Sequence, residues 1–220
     1  MRKLVTEALD TAMLLIAVVG SGILGERLAG GNIAIVLPAG SLTTAGMLFA
    51  LIKWLGPLSG AHFNPVVSIA TTVHGDITVR GAAAHGLAQF AGGLVGVGVA
   101  SAIFDLPVYF FSTHTRDGAP QLLSEFICTF GLVGAVWISS QLRSDSVAGI
   151  VACYVGGTFW FSPTGFANPA VTVGGAFTNT FSGIRIVDVP EFIVAQLTGT
   201  LAAVLLFRWL RVAESSEEIK

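Results

Sequence analysis

Long stretches of the chain are continuously apolar, and polar residues are concentrated in the short intervals between them. Six such runs occur, at about 4–24, 33–55, 81–104, 121–142, 146–162 and 189–210. An α-helix needs about 20 mainly apolar residues to cross the hydrocarbon core of a bilayer. The apolar positions do not alternate with polar ones, as they do in transmembrane β-strands. The pattern therefore predicts an all-α membrane protein with six transmembrane helices.

Two shorter apolar segments, about 64–74 and 168–179, each begin with Asn-Pro and are too short to span a membrane. Asn is a favoured helix N-cap, and Pro is favoured at the first helical position. We expect each segment to be a re-entrant half-helix whose positive end points into the membrane interior. Non-helical backbone is tolerated at that depth where it is buried in protein or lines an aqueous cavity. The segments therefore predict a pore.

Matched residues recur in the two halves of the chain. The order Glu, Asn-Pro, Gln occurs as Glu7, Asn64 and Gln89, and again as Glu125, Asn168 and Gln196. Each set spans three apolar runs and one short segment, so the halves insert in opposite directions and place a site near the midplane. We predict a single channel domain over 1–220, with a first repeat at about 1–105, a linker at about 106–120, a second repeat at about 121–212 and a mobile tail at about 213–220.

Composition and charge support the membrane assignment. The chain is 53% hydrophobic and 11% charged, with a mean hydropathy of +0.80, whereas soluble domains carry roughly 25% charged residues. A net charge of −2 provides no basic field for nucleic acid. With the N-terminus in the cytoplasm, eight of the 11 Lys and Arg residues lie on that side. This bias predicts an inner-membrane protein with both termini cytoplasmic.

Other motifs predict no enzyme activity, cofactor or resident metal. Gly20–Gly25 matches G-x-G-x-x-G, but a membrane helix precedes it and no acidic residue follows at the required distance. We therefore interpret these glycines as helix packing or a helix end. The spacing of the four histidines indicates no metal site. His62, two residues before Asn64, is expected to hold its loop, and the alternatives are that it lines the cytoplasmic vestibule or acts as a pH sensor. No catalytic constellation is evident.

The segments SGAHFNPVVS and GFANPAVT resemble the paired signature loops of the aquaporin, or major intrinsic protein, family. The likeness covers nearly the whole chain. It implies a channel for water or small neutral solutes, usually a homotetramer in membrane lipid with one pore per subunit. It also implies that the motifs Asn64-Pro65-Val66 and Asn168-Pro169-Ala170 form the central constriction. By the same resemblance, Glu7 and Glu125 brace the two loops from within the bundle.

One departure from the family concerns the selectivity filter. In most members the second motif continues into Arg, whereas Val171 stands here. Counting from the motifs places the other filter residues at Thr44, Gly165 and Gly156, with Gly157 as an alternative because that count crosses a variable loop. Such a filter has no ring and no charge, so we expect it to be wide and weakly polar.

A wide, uncharged filter favours glycerol and arsenous or antimonous acid, with some water, as permeants. Bacterial members associated with arsenic resistance also lack this Arg, and the resemblance to them favours metalloid hydroxides. A water-selective pore is the first alternative. A secondary transporter is the second, although few acidic residues lie near the spans. A non-conducting structural membrane protein is the third.

Overall fold

The computed structural model describes residues 1–142 and 144–217, and within them the chain forms helices and no strand. The elements are α1 (Arg2–Ala29), α2 (Ile33–Trp54), α3 (Gly56–Ser59), α4 (Pro65–His74), α5 (Val79–Ile103), α6 (Ala119–Leu142), α7 (Ser144–Phe161), α8 (Pro169–Gly175) and α9 (Val189–Glu217). The all-α prediction is confirmed. The tail predicted at 213–220 falls on the end of α9 and on residues 218–220, which lie outside the described residues.

Five of the helices are long and apolar enough to cross a membrane: α1, α2, α5, α6 and α9. The remaining predicted span, at about 146–162, corresponds to α7. This helix has 18 residues, and its apolar part is Ser146–Phe161. An 18-residue helix rises about 27 Å, close to the hydrocarbon thickness of about 30 Å. The apolar runs thus correspond to six long helices, and α4 and α8 are the short helices that begin with Asn-Pro.

Capping residues explain where several helices begin and end. The side chain of Asn32 accepts a hydrogen bond from the Ala34 amide at 3.0 Å, which starts α2. Thr78 does the same for α5 by accepting from the Gly81 amide at 3.0 Å. α1 ends where Gly30 adopts a φ of 53°, a left-handed conformation that glycine adopts without steric cost.

Small residues bring the long helices together in pairs that correspond between the two repeats. In the first repeat, a Cβ on Gly92 or Gly96 of α5 would overlap the α1 backbone at Ala8 or Ala12. In the second, Gly199 of α9 lies against the α6 backbone at Phe126. Such residues allow close backbone approach in lipid. The pairs α1–α5 and α6–α9 therefore frame the short helices α4 and α8.

The linker between the repeats packs against the segment that follows α8. The Phe110 amide donates to the Phe177 carbonyl at 3.2 Å, and the Ser112 amide donates to the Ala176 carbonyl at 3.1 Å. Further along, the Arg185 amide donates to the His114 carbonyl at 2.9 Å. The linker is thus fixed over the end of the bundle that contains α8.

Candidate functional site

Each short helix begins at an asparagine whose side chain caps it. The Asn64 Oδ1 accepts from the Val66 amide at 3.0 Å, and the Asn168 Oδ1 accepts from the Ala170 amide at 2.9 Å. Both asparagines have extended backbones, and proline follows each as the first helical residue. The cap occupies one otherwise unpaired N–H of the first turn, and proline removes another.

The two caps meet through reciprocal hydrogen bonds. The Asn64 Nδ2 donates to the Ala167 carbonyl at 2.7 Å, and the Asn168 Nδ2 donates to the Phe63 carbonyl at 2.9 Å. Both asparagines are about 95% buried, with exposed fractions of 4% and 5%. An amide NH₂ has two N–H donors, so each asparagine keeps one that these bonds do not use. The positive ends of two helices therefore face each other beside two amide donors.

The residue before each asparagine has a left-handed backbone, with φ 52° at Phe63 and 49° at Ala167. A non-glycine residue in that region costs about 1–2 kcal/mol. The same conformation orients the carbonyl toward the opposite asparagine and the amide toward a buried glutamate, and both groups are hydrogen-bonded. These bonds offset the strain, which recurs at matching positions in the two repeats.

Glu7 lies at the base of the first loop, fully buried. Its Oε1 accepts from the Phe63 amide at 2.6 Å and from the Gln89 Nε2 at 2.8 Å. The same Gln89 nitrogen lies 3.1 Å from the Ser68 hydroxyl of α4, to which it also donates. The first loop is therefore hydrogen-bonded to α1 through Glu7, and α5 holds both Glu7 and α4 through Gln89.

Glu125 occupies the corresponding place in the second loop and uses both carboxylate oxygens. Its Oε1 accepts from the Phe166 amide at 2.7 Å, and its Oε2 accepts from the Ala167 amide at 2.9 Å and from the Gln196 Nε2 at 2.7 Å. Gln196 also donates to the Thr172 hydroxyl of α8 at 2.8 Å. The second loop thus has one more backbone bond to its glutamate than the first.

A cavity of about 1020 Å³ contacts both asparagines and reaches both ends of the bundle. One end, here called the α4 mouth, is lined by Lys3, His62, Asp76 and His85. The other end, the α8 mouth, is lined by His114, Arg116, Phe181 and Ser182. Apolar side chains from several helices line the part between them, including Leu48, Val67 and Val151. The cavity has the form of a pore with polar groups at its centre and ends.

Three of the four predicted filter residues line this cavity, namely Thr44, Gly165 and Val171. The Thr44 hydroxyl is buried and has no hydrogen-bond partner among the described residues. Val171 is 7% exposed and belongs to the apolar core beside α8.

The fourth predicted position, Gly156, lies elsewhere. α7 reaches the cavity through Val155 and Phe159. Gly156 faces α2, where its carbonyl accepts from the Ser41 hydroxyl at 2.8 Å and an added Cβ would lie 3.0 Å from that of Ala45. Gly157 does not line the cavity either. Counting residues fixes a position along a helix, but it does not fix which face of the helix meets the cavity. α7 places Phe159 at the cavity, whereas the expected filter has no aromatic ring.

Arg116 is a cavity residue that the sequence analysis did not single out. Its Nε donates to the Gly183 carbonyl at 2.6 Å, and its Nη2 donates to the Phe181 carbonyl at 2.8 Å. The guanidinium carbon lies 5.1 Å from the centre of the Phe166 ring. Burial lowers the pKa of Arg116, which nevertheless stays charged at neutral pH. Arg116 is thus a charged residue of the cavity in addition to the four residues of the predicted uncharged filter.

An ion-pair cluster anchors the linker at Arg116. The Arg116 amide donates to the Asp188 Oδ2 at 2.9 Å. The Arg185 guanidinium bonds both oxygens of Asp188, at 3.0 and 2.9 Å, and also Asp117 at 3.0 Å. Burial acts to raise the pKa of Asp188, but the bonds from Arg185 and from the Arg116 amide together hold it below its usual range. Two features of the sequence could have pointed to Arg116. It is an arginine in the linker, and Val171 stands where most family members have the filter arginine.

Glu7, His62 and His85 form a group at the α4 mouth that could hold a metal ion. One ligand atom from each lies within 4.8 Å of the others, and the two imidazole centres are 5.0 Å apart. His62 Nδ1 lies 2.9 Å from the Ser68 hydroxyl. Two imidazoles and a carboxylate are ligands that Zn²⁺ takes. The spacing of the histidines along the chain could not indicate this group, because its members come from α1, a loop and α5.

Two opposed half-helices, capped by asparagine and braced by buried glutamates within a bundle of long apolar helices, define a membrane channel fold. The chain matches the major intrinsic protein family over residues 1–162 and belongs to it. The predicted family resemblance is thereby confirmed.

Individual relatives agree with this assignment. The chain is 44% identical over 210 residues to aquaglyceroporin AqpS of Rhizobium meliloti (strain 1021), covering 95% of this chain and 90% of that protein. It is 26% identical over 222 residues to a probable NIP-type aquaporin of Nicotiana alata, covering 96% and 78%. The X-ray structure of the aquaglyceroporin from Plasmodium falciparum has the same fold, with a TM-score of 0.68 at 21% identity, covering 94% of each chain.

Proposed function

We propose that the protein is a passive channel for small neutral solutes: glycerol, arsenous and antimonous acid and similar hydroxylated species, with some water. The observation that carries the proposal is the cavity that passes both capping asparagines and reaches both ends of the bundle. The 44% identity to a protein named an aquaglyceroporin supports glycerol as a permeant.

The centre of the cavity selects for neutral oxygen-bearing solutes. A hydroxyl oxygen accepts from the unused N–H of Asn64 or Asn168, which replaces a hydrogen bond lost from water. The facing positive ends of α4 and α8 oppose a cation at the same place. Glu7 and Glu125 act by holding the loops so that the two amides keep this orientation.

We assign the narrow filter to Thr44, Gly165 and Val171, with Phe159 in place of Gly156. The Thr44 hydroxyl offers a polar contact, while Val171 and Phe159 offer an apolar wall for the carbon side of a polyol. Because Gly165 has no side chain, it leaves room for a solute larger than water.

A water-selective pore is the second candidate. Phe159 and Arg116 both line the cavity, and two large side chains that the predicted filter does not include favour a narrower opening. Large exposed apolar side chains such as Leu42 and Leu87, at 74% and 73% exposure, suit a lipid or subunit contact. We propose a homotetramer in the cell inner membrane with both termini in the cytoplasm, and a channel that needs no cofactor or enzymatic step.

Stopped-flow light scattering on proteoliposomes tests the proposal through water, glycerol and arsenite entry. We expect wild-type glycerol and arsenite entry at least about tenfold above empty vesicles, and slower entry of both in Val171→Arg. Val171→Leu is the matched control, because it adds bulk without charge and should reduce entry less. Solute entry no faster than in empty vesicles contradicts the channel proposal. Fast water entry without glycerol entry selects the water-specific alternative.

A further inference from the structure

We infer that Arg116 supplies the fixed cation that the chain lacks at Val171, and that it is the residue that excludes cations at the α8 mouth. The inference rests on the proposed channel function and concerns its selectivity. It assigns a specificity role to a linker residue that lies far from both Asn-Pro motifs in sequence.

The first support is position. Arg116 and Val171 line the same cavity, together with Gly165. Phe166 connects them, because the Arg116 guanidinium lies over its ring and the ring packs against the core cluster that contains Val171. Arg116 is also near enough to Glu125, the residue that holds the second loop, for their charges to interact. The cation therefore sits at the level of the loop that carries the Asn168 motif.

The second support is that the guanidinium is held in place. Two backbone carbonyls accept from it, at Phe181 and Gly183, and an aromatic ring covers one face. Its own amide is tied to Asp188, which Arg185 fixes in turn. Besides making these contacts, Arg116 is one of the residues that line the cavity.

The third support is chemical. A guanidinium has five N–H donors, and the bonds to the two carbonyls use two of them. The others can donate to a solute hydroxyl at the entrance. A permanent positive charge in a narrow, weakly polarisable passage raises the energy of a passing cation much more than that of a neutral solute. Arg116 can thus admit polyols while opposing cations such as methylammonium.

The test is methylammonium entry into proteoliposomes, measured beside glycerol entry. Arg116→Ala should raise the ratio of methylammonium entry to glycerol entry about tenfold, because the variant loses the charge that opposes the cation. Arg27→Ala is the matched control, because Arg27 lies near the same end of the bundle, bonds the Phe104 carbonyl and does not line the cavity. It should leave methylammonium entry unchanged.

A second variant separates a filter role from an anchoring role. The double variant Arg116→Ala with Val171→Arg supplies the fixed guanidinium from α8 instead of from the linker. Its methylammonium entry should fall back to the wild-type value. Unchanged methylammonium entry in an Arg116→Ala protein that still passes glycerol overturns the inference. A leak that the added Val171→Arg fails to suppress also overturns it. Absence of glycerol entry in the wild type instead counts against the channel proposal itself.

A separate group carries a second inference. We infer that Glu7, His62 and His85 at the α4 mouth form a site for a divalent transition metal ion such as Zn²⁺, which closes the pore when bound. This site also rests on the proposed channel function, but it depends on none of the residues at the α8 mouth.

Two of its three members have buried polar atoms with no partner among the described residues, namely Glu7 Oε2 and His85 Nδ1. Glu7 can offer Oε2 while its Oε1 keeps the Phe63 and Gln89 bonds. In the tautomer in which His62 Nδ1 donates to Ser68, its Nε2 is free to bind metal. Zn²⁺ ligands lie about 3.4 Å apart in a tetrahedral site, so side-chain shifts of about 1 Å suffice. The cavity would supply a water as the fourth ligand.

Zinc inhibition of glycerol entry tests this site. Micromolar Zn²⁺ should slow wild-type entry several-fold, a chelator should restore it, and Mg²⁺ should have no effect because it prefers oxygen ligands. His85→Gln and His62→Gln should each abolish the inhibition, whereas His114→Gln at the α8 mouth should retain it. Equilibrium dialysis should show about one Zn²⁺ per chain, lost in His85→Gln. Equal inhibition of both cluster variants and wild type, or no zinc bound, overturns the inference.

Discussion

The first and second repeats are alike at the centre of the molecule and different at its two mouths. At the centre, each repeat has an asparagine cap, a left-handed residue before it and a buried glutamate that accepts from the loop backbone. At the mouths, the α4 side presents two imidazoles beside a carboxylate, and the α8 side presents a half-buried guanidinium. The contrast separates what the fold requires from what selectivity requires.

The shared centre follows from the backbone. Two chain segments must end inside the bundle, and each leaves N–H and carbonyl groups that need partners wherever water is scarce. Both repeats solve this problem with the same residue types. The mouths carry no such constraint, so their side chains can diverge and set which solutes enter.

The largest effect should come from Glu125, and its comparison with Glu7 gives a sharp contrast between the repeats. Glu125→Gln replaces one carboxylate oxygen with an NH₂ donor. One loop amide then loses its acceptor, which should lower the free energy of unfolding by about 2–3 kcal/mol. Glu7→Gln can keep Oε1 for both of its partners and should cost about 1 kcal/mol or less. Thermal unfolding in detergent, followed by loss of the monodisperse peak, measures both. A larger loss for Glu7→Gln would contradict the geometry described for the second loop.

The asparagine caps should give a smaller and more equal effect. Asn64→Ala and Asn168→Ala each remove a cap worth about 1 kcal/mol and a cross-loop bond worth about 1 kcal/mol. Because the two sites have matching partners and burial, the losses in unfolding free energy should agree within about 1 kcal/mol. Denaturant titrations of both variants provide the comparison. A much larger loss at one site would show that the repeats are not equivalent at the centre.

The smallest effect is a pH dependence confined to the α8 mouth. The pKa of Asp188 is lower in the folded protein than in the unfolded chain, so its contribution to stability is complete above about pH 4. That contribution is lost as the pH falls through the lower folded-state pKa. The difference in unfolding midpoint between wild type and Asp188→Asn should therefore shrink below about pH 4. A difference that stays constant down to pH 3 would indicate that the Asp188 charge does not anchor the linker.

Features encoded locally could be predicted from the sequence. The apolar runs gave the long helices, and the Asn-Pro pairs gave the N-termini of α4 and α8, because hydrophobic length and capping depend on neighbouring residues alone. Recurrence of Glu, Asn-Pro and Gln also indicated an inverted repeat with a site near the midplane. The structure then supplied the atoms involved, such as the Phe63 and Ala167 amides.

Features that depend on the rotation or approach of distant segments could not be predicted. Gly156 was placed in the filter by counting, but the face of α7 that meets the cavity is set by packing against α2. Arg116 reaches the cavity because the linker is tied to Asp188, 72 residues away in sequence. His62 and His85 meet only because α5 crosses beside the first loop. No local pattern carries that information.

Paired entry rates of glycerol and methylammonium into the same wild-type proteoliposomes test the central claim most directly. The account predicts glycerol entry well above that of empty vesicles and methylammonium entry equal to it, because a neutral solute bonds the asparagines while a cation meets two helix ends and Arg116. Equal rates for the two solutes, or glycerol entry no faster than in empty vesicles, would contradict it.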